Sequence, residues 1–418
     1  MSQRQNNPLS WVPSVYFAMG MPFVMLSLVA VVMFSEMGIS DARAAFWTSL
    51  IVLPWTLKPL WSPFLELFRT KKYFVVTTQL VTGLSFVQVA LSLPLPCFFT
   101  YAIALMGLIA FSGATHDIAT DGVYMAELDS ATQARYIGWQ GAFFNIAKVA
   151  ANGGLVFLAG ALKAQVGTTQ AWMIVMAICG GTMILLSFWH GVSLPSGGAA
   201  AAAISNAREG WRSFLRVFGS FFVKRHIAVY IIFIILYRMA EGLAIKILPL
   251  FLKAPVDNGG LGLELKQYGL IVGIFGTAAF IVGSILAGYL IAAKGLRRTL
   301  FVLCCAINLP FLVYLLLAFV QPDSLELIGT AVVAEYFGYG FGFVGLTLFM
   351  MQQVAPGDHK MAHYAFASGI MNLGYMLSGM VSGYISDALG YRWFFVVVAA
   401  AMVPALIMSR IVPFTYKE

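Results

Sequence analysis

Long apolar runs recur along the entire chain and are separated by short polar segments. A helix needs roughly 20 apolar residues to cross about 30 Å of hydrocarbon, and the runs have lengths of this order. The pattern predicts twelve membrane-spanning helices, called spans one to twelve, at residues 11–36, 43–61, 73–93, 98–127, 133–160, 171–194, 226–252, 265–293, 300–320, 325–352, 362–387 and 393–411.

The composition supports this pattern. The chain has 418 residues, of which 60% are hydrophobic and only 10% are charged. About a quarter of the residues are charged in soluble domains, so this chain cannot coat a water-exposed surface. The net charge of +8 fits basic cytoplasmic loops better than it fits nucleic-acid binding. The first apolar run is too long for a signal peptide, so it is interpreted as span one.

The positions of basic residues predict the orientation in the membrane, because cytoplasmic loops collect Lys and Arg. Basic residues follow span two, fill the segment between spans six and seven, and follow span eight. Lys253, Lys266 and Arg392 run against this bias. The pattern favours cytoplasmic positions for both termini, and the loop residues that carry it are Arg69, Lys71, Lys72, Lys294, Arg297 and Arg298.

A repeat divides the spans into two sets of six. Segments 65–72 after span two and 288–298 after span eight are both short and basic, and each lies at the same place in a six-helix half. A basic amphipathic stretch with Arg208, Arg212 and Arg216 separates the halves and can lie on the cytoplasmic membrane face. The predicted division is a six-helix bundle at 1–194, a cytoplasmic linker at 195–225 and a second six-helix bundle at 226–418.

Eight ionisable residues lie within the predicted spans, where a charge is costly and often marks a solute or proton path. Each half holds two bases and two acids, so internal pairing could make each half neutral. These residues are Lys58, Asp117, Asp121 and Lys148 in the first half and Arg238, Glu241, Lys246 and Glu335 in the second.

Asp117 and Asp121 are one helical turn apart and lie on the same face of span four. Two close carboxylates repel each other, which favours proton binding by one of them. A structural pair clamped by Lys58 or Lys148 fits the same spacing, because ion-pair networks also perturb titration. The sequence leaves both interpretations open.

Arg238 and Glu241 are three residues apart on span seven and are expected to pair along one helix face, although Arg238 could instead meet an anionic substrate. Glu335 is alone on span ten and needs a partner that the sequence does not identify. The predicted proton-coupling residues are Asp117, Asp121, Glu241 and Glu335.

Aromatic and amide side chains within the spans offer further contacts. Trp61 could stack on a sugar ring or anchor at the membrane interface, where Trp is enriched. Gln140 and Asn145 could bind substrate hydroxyls or form helix-to-helix hydrogen bonds. The predicted substrate-binding residues are Lys58, Trp61, Tyr124, Gln140, Asn145, Lys148, Tyr237, Arg238 and Tyr339.

The sequence contains no recognisable enzyme motif. A glycine-rich phosphate loop ending in Lys-Ser/Thr is missing, which argues against an ATP-driven pump. No Ser/His/Asp set is evident, and the four cysteines lie in apolar stretches without metal-ligand spacing. We therefore predict no catalytic residue, no cofactor and no metal site.

Several motifs resemble known families. Residues 288–298 are similar to the signature of the major facilitator superfamily, although Ala292 replaces its aspartate. The charged positions resemble the AmpG-type muropeptide permeases of the peptide–acetyl-CoA–drug branch, and His116, Lys148 and Arg238 replace a glutamine, an arginine and a lysine of that family. The matching motifs are Lys58-Pro59-Leu60-Trp61-Ser62-Pro63, His116-Asp117-Ile118-Ala119-Thr120-Asp121 and Leu236-Tyr237-Arg238-Met239-Ala240-Glu241.

This resemblance implies an all-α membrane protein with two six-helix bundles and a substrate site near the midplane between them. It implies a proton-coupled symporter that imports N-acetylglucosamine–anhydro-N-acetylmuramic acid, with or without peptide, across the inner membrane. Arg69, Lys294 and Arg298 would act in gating. The implied partners are a small anionic amino-sugar or muropeptide, protons and the lipid bilayer, with no nucleic acid and a monomeric protein.

Two alternatives remain compatible with the residues. The first is a carrier of the same fold for another organic anion, siderophore, sugar or drug. The second is a non-transporting membrane receptor or sensor, which would bind a ligand without accumulating it.

Overall fold

Helices occupy every predicted span in the computed structural model, which describes residues 7–39, 41–67, 69–198, 207–263 and 265–416. No strand occurs within these ranges. Spans one to six lie at 12–36, 41–67, Lys71–Ser92, Phe98–Glu127, 130–166 and Thr168–Ser193, and spans seven to twelve lie at 227–253, 265–294, 296–320, 325–354, 360–389 and 391–411.

Ten helices among the described residues are long and apolar enough to cross a membrane. The last of them, Lys360–Ile411, contains two spans, because Gly390 has a φ of 71° and interrupts the helical backbone. Span two is broken into shorter pieces and supplies the remaining span. The predicted all-α membrane fold of twelve spans is therefore confirmed.

Prolines account for the breaks in span two. Proline has no backbone N–H and fits best in the first turn of a helix, which favours the start of a new helical piece near each proline of this span. Pro54 and Pro59 both lie at the start of such a piece. Lys58 is thereby placed in a short 3-10 turn, Lys58–Leu60. The α-helical pieces of span two are Asp41–Ile51 and Leu53–Leu57 before this turn and Ser62–Leu67 after it.

Four other spans contain a π-helical turn, in which one extra residue widens the helix. These turns are Met25–Val29 in span one, Val149–Leu155 in span five, Gly269–Gly276 in span eight and Met350–Val354 in span ten. The turn in span five begins directly after Lys148, one of the predicted site residues.

The helices form two compact units. The first unit comprises Met1–Asp129, Phe143–Phe218 and His359–Ala365, and the second comprises Ser130–Ala142, Gly219–Asp358 and Phe366–Glu418. Span five therefore contributes its first part to the second unit and its remainder to the first. Each unit has its own core of large apolar side chains, which include Phe34, Phe86 and Trp172 in the first and Phe251, Phe311 and Phe395 in the second.

The segment between spans six and seven contains a linker helix, Ala207–Phe222. Phe214 stacks on Phe64 at a ring distance of 4.9 Å, whereas Leu215 and Phe222 are exposed. Residues 199–206 and the side chain of Arg208, which belong to the predicted linker, lie outside the described part. The predicted boundaries of the two bundles and the linker stay predictions.

Glycines allow spans eight, nine and ten to approach closely within the second unit. A Cβ atom on Gly340 would overlap the Phe280 carbonyl oxygen of span eight, and a Cβ atom on Gly338 would overlap that of Ala306 in span nine. Small residues permit such backbone-to-backbone contact. This packing fixes the part of span ten that carries Glu335.

Substitution of Gly340 by valine is expected to lower the free energy of unfolding by roughly 1–3 kcal/mol, because overpacking forces spans eight and ten apart. Thermal unfolding of the purified protein in detergent measures this effect. Gly181→Val in span six is the matched control, since a Cβ atom placed there meets nothing within 4 Å. Equal melting temperatures for the two variants would contradict the packing argument.

Candidate functional site

Three predicted charges of the first half meet in the first unit. Lys58, Asp117 and Asp121 are 8%, 6% and 8% exposed, and Lys58 Nζ lies 3.7 Å from Asp117 Oδ2. The break in span two places the lysine opposite the carboxylate face of span four. Of the two lysines considered as a clamp for the aspartates, Lys58 is the one that forms the ion pair.

Asp121 has a different partner. The hydroxyl of Tyr16, on span one, donates a hydrogen bond to Asp121 Oδ1 at 2.9 Å. Tyr124 is fully buried and packs edge-on against Tyr16 and Trp11, with ring centroids 6.1 and 6.4 Å apart. We call Lys58, Asp117, Asp121 and Tyr16 the first cluster.

Polar atoms beside the first cluster have unused hydrogen-bonding capacity. Asp117 Oδ1 and Trp55 Nε1 are near neighbours, but neither makes a hydrogen bond of ordinary geometry with a described residue, and the same holds for Thr120 Oγ1. Trp61 donates to Thr115 Oγ1 at 3.2 Å. Buried polar groups normally have a partner. Asp117 Oδ1, Trp55 Nε1 and Thr120 Oγ1 are therefore chemically suited to bind a hydroxyl or amide of a solute.

His116 points into a polar chain that the sequence did not predict. Its Nε2 lies 2.9 Å from Gln79 Nε2, and Gln79 Oε1 lies 2.9 Å from His190 Nδ1. The chain ends at Ser14, whose Oγ lies 2.9 Å from His190 Nε2. These four side chains connect spans one, three, four and six, which indicates a cross-helix role for His116.

The remaining predicted binding residues of span five differ in burial. Lys148 is exposed and makes no ion pair with a described residue. Asn145 is half-buried, whereas Gln140 is buried and its Nε2 has no hydrogen-bond partner among the described residues. Gln140 therefore retains donor capacity, and Lys148 forms no ion pair with either aspartate of the first cluster.

The predicted pair of span seven is present in the second unit. Arg238 donates from Nε to Glu241 Oε2 at 2.7 Å and from Nη2 to Oε1 at 2.6 Å. Both side chains are buried. The guanidinium also lies over the rings of Phe343 and Tyr375, at 5.0 and 4.5 Å from their centroids. Such bidentate pairing and ring stacking hold the arginine rigidly.

Glu335 finds the partner that the sequence left unnamed. Tyr314, on span nine, donates from its hydroxyl to Glu335 Oε2 at 3.2 Å. Glu335 is 5% exposed, and no ion pair to it occurs among the described residues. We call Arg238, Glu241, Glu335 and Tyr314 the second cluster. The side chain of Lys246, the other predicted base of this half, lies outside the described part.

Two predicted tyrosines border the second cluster. Tyr237 donates to the Gly342 carbonyl oxygen at 2.8 Å, so its hydroxyl is engaged with the backbone of span ten. Tyr339 is half-buried and packs against Phe280 at a ring distance of 5.0 Å. Of the two, Tyr339 is the better placed to contact a solute.

The predicted gating residues are all exposed: one follows span two, one ends span eight and one lies in the first turn of span nine. These residues are Arg69, Lys294 and Arg298. Arg69 has a φ of 49° and its guanidinium lies 5.6 Å from the centroid of the Tyr73 ring. All three residues lie within the two copies of the predicted basic repeat, at 65–72 and 288–298.

The two clusters share a charge imbalance. Among the described side chains, each buries one base with two acids, and one acid of each set has an ion-pair partner. Asp121 and Glu335, which we call the surplus acids, instead accept a hydrogen bond from a tyrosine. An uncompensated buried carboxylate is costly, so the arrangement favours binding of one proton or cation in each unit.

Sequence reasoning did not identify Tyr16, Gln79, His190, Tyr314 or Tyr375. A partial signal existed for the tyrosines, because a buried acid requires a hydrogen-bond donor. Pairing a particular tyrosine with a particular acid requires the rotation of each helix, which the sequence pattern does not give.

Comparisons with known proteins agree with this fold. Residues 235–417 match the model of the major facilitator superfamily. A putative transporter AmpG 2 of Rickettsia prowazekii (strain Madrid E) is 26% identical over 204 residues, which cover 48% of either chain. The anhydromuropeptide permease of Escherichia coli (strain K12) is 25% identical over 188 residues, covering 45% of this chain and 37% of that one.

The matched stretches span about half the length of these relatives, or less. A crystal structure of the Escherichia coli fucose:proton symporter FucP superimposes with a TM-score of 0.73 at 14% identity, covering 99% of this chain and 100% of that one. At that identity the likeness concerns the fold. The relatives are named as transporters and permeases rather than enzymes, in agreement with the sequence.

The fold, the buried charges and these matches agree with one another. The chain has the fold of a multi-pass helical membrane protein, matches the major facilitator superfamily over residues 235–417, and is similar in sequence to AmpG-type permeases over about half of its length.

Proposed function

We propose that this protein imports peptidoglycan turnover products by proton-coupled alternating access. The substrate would be N-acetylglucosamine–anhydro-N-acetylmuramic acid, with or without its peptide. The observation that carries this proposal is the surplus acid buried in each unit beside an ion pair, in a chain similar to proteins named as AmpG transporters and anhydromuropeptide permease.

The surplus acids support coupling to protons. Ionisable groups within membrane spans are expensive and usually belong to a solute or proton path. Asp121 and Glu335 form no ion pair with a described side chain. Binding of a proton makes such a carboxyl group neutral. The carboxyl group would release this proton when it comes into contact with water or with a positive charge.

The side chains around the clusters fit an anionic sugar derivative. Lys58 and Arg238 supply buried positive charge, which favours binding of carboxylates. Asp117 Oδ1, Thr120 Oγ1 and Gln140 Nε2 have unused hydrogen-bonding capacity for hydroxyl and acetamido groups. The aromatic rings of Trp61 and Tyr339 provide surfaces for pyranose faces. The proposed set is completed by Tyr124, Asn145, Lys148 and Tyr237.

We further propose an inner-membrane location with both termini in the cytoplasm. The support is the exposed basic character of the loops after spans two and eight, which the positive-inside rule assigns to the cytoplasmic side. Arg69, Lys294 and Arg298 would then act there as gating residues. The transporting form is proposed to be a monomer.

Uptake into proteoliposomes tests the proposed function. Purified protein is reconstituted, an inwardly directed proton gradient is imposed, and radiolabelled N-acetylglucosamine–anhydro-N-acetylmuramic acid tripeptide is added outside. Accumulation above the external concentration is expected, and a protonophore should abolish it. Liposomes without protein and the corresponding non-anhydro disaccharide serve as controls.

Each other outcome has a distinct meaning. Accumulation that is indifferent to the protonophore would refute proton coupling while leaving the substrate assignment intact. Proton-driven uptake of a siderophore, simple sugar or drug, without uptake of the muropeptide, would change the substrate assignment. Saturable binding of muropeptide without any entry into the vesicles would identify a receptor instead of a carrier.

A further inference from the structure

The surplus acids occupy corresponding chemical settings in the two units. Each lies beside an ion pair formed by the other acid of its cluster, with Lys58 3.7 Å from Asp117 and Arg238 2.6 Å from Glu241. Neither Asp121 nor Glu335 makes an ion pair with a described side chain. The four predicted coupling acids therefore divide into two paired acids and two surplus acids.

Each surplus acid is held by a buried tyrosine from another span. Tyr16 reaches Asp121 from span one, with an O–O distance of 2.9 Å, and Tyr314 reaches Glu335 from span nine, at 3.2 Å. Both tyrosines are nearly inaccessible, at 3% and 1% exposed. In each case the tyrosine engages one carboxyl oxygen, and the other oxygen makes no hydrogen bond to a described residue.

We propose that Tyr16 and Tyr314 are positioning residues that hold Asp121 and Glu335 as the two proton-binding carboxyls, while Asp117 and Glu241 stay charged in their ion pairs. This inference rests on the proposed proton-coupled function. It narrows four candidate acids to two and adds two residues that sequence reasoning did not identify.

A phenol suits this task because its hydroxyl can donate to the same carboxyl oxygen whether the carboxyl group is ionised or protonated. The proton adds to the carboxyl oxygen that the tyrosine does not contact, and it leaves from the same atom. No other bond forms or breaks. The tyrosine thus fixes the carboxyl orientation in both protonation states, which a paired lysine or arginine would not allow without opposing protonation.

Other charged and titratable groups face each site and would modulate it. Lys58, Asp117 and Tyr364 act on Asp121. Glu241, Tyr336 and Tyr339 act on Glu335. Arg238 is committed to Glu241 by two hydrogen bonds, so Glu335 depends mainly on its tyrosine for stabilisation of the ionised form.

The test replaces each tyrosine by phenylalanine, which removes the hydroxyl and keeps the ring. Loss of a donor to the carboxylate makes proton binding easier, so the pH at half-maximal proton-driven uptake should rise by about one unit in Tyr16→Phe and in Tyr314→Phe. Tyr230→Phe is the matched control, because this buried tyrosine bonds to Thr415 instead of an acid. Its pH profile should equal that of the wild type.

A spectroscopic readout keeps the inference separable from the transport assignment. Infrared titration of the purified protein should show a protonated carboxyl C=O band that Asp121→Asn and Glu335→Gln each diminish and that the corresponding tyrosine variant shifts. Muropeptide transport could fail while these bands behave as stated, and then only the proposed function falls. Unaltered bands and an unchanged pH profile in both phenylalanine variants would overturn the positioning role.

Discussion

Replacement of Arg238 by methionine is expected to lower the free energy of unfolding by about 3–5 kcal/mol and to abolish uptake, because it leaves the Glu241 carboxylate buried without its partner. Arg238 is 7% and Glu241 3% exposed, so water cannot readily replace the lost hydrogen bonds. The guanidinium also fills the space between two aromatic rings, which a flexible methionine fills only in part. Thermal unfolding in detergent and proteoliposome uptake measure the two effects.

Two further variants separate the ion pair from the cation–ring contacts. Arg410 lies over the Phe301 ring, 3.9 Å from its centroid, but is exposed, and Arg410→Met should cost less than about 1 kcal/mol. The double variant Arg238→Met/Glu241→Gln removes the unpaired charge and should recover most of the stability without restoring uptake. If the single variant melted at the wild-type temperature, Glu241 would have to be neutral or hydrated in the folded protein.

Neutral substitution of either surplus acid is expected to lower accumulation about tenfold per unit of pH gradient, and substitution of both is expected to abolish it, while exchange is preserved. Each coupled proton can drive about a tenfold accumulation per unit of pH gradient, since 1.4 kcal/mol corresponds to a factor of ten. Asp121→Asn and Glu335→Gln mimic a permanently protonated carboxyl, so each should lose its own tenfold factor. Exchange of labelled for unlabelled substrate at equal pH should continue, because it requires no net proton release.

Glu326→Gln is the matched control for Glu335→Gln, since Glu326 lies exposed in the first turn of the same helix. Accumulation by this variant should equal that of the wild type. Full accumulation in the combined Asp121→Asn/Glu335→Gln variant would mean that other residues couple proton movement to uptake. Loss of both accumulation and exchange would indicate that the acids are required for substrate binding instead.

The spans were predictable because lipid imposes a length and a composition on every crossing helix. Span four coincides with its prediction at 98–127, and most other ends differ by a few residues. Span two was harder, because its prolines divide it into pieces that no single apolar period describes. Lys58 of span two nevertheless pairs with Asp117. The sequence had suggested either Lys58 or Lys148 as the partner of the two aspartates.

The candidate site was predictable wherever partners lie on the same helix. Arg238 and Glu241 are three residues apart, and their spacing alone brings the two side chains together. Tyr314 and Glu335 lie on different spans, so their contact depends on the rotation and depth of both helices. Sequence periodicity indicates which face of a helix is polar, but it does not specify the neighbouring residue opposite that face.

Lys148 illustrates a different limit. An ionisable residue in an apolar run was expected to point inward and to pair, as unpaired burial is costly. The structure leaves it exposed, at the boundary between regular helix and the π turn Val149–Leu155. A face assigned by counting 3.6 residues per turn is displaced beyond such a turn, so the residues before and after Val149–Leu155 do not follow one stripe.

The π turns of spans one, five, eight and ten also affect how this sequence should be aligned with its relatives. A one-residue gap inside an ordinary helix rotates everything beyond it by about 100°, so the aligned residues no longer share the same buried face. A gap at a π turn only converts a wide turn into a regular one. Single-residue gaps are therefore best placed within Met25–Val29, Val149–Leu155, Gly269–Gly276 and Met350–Val354.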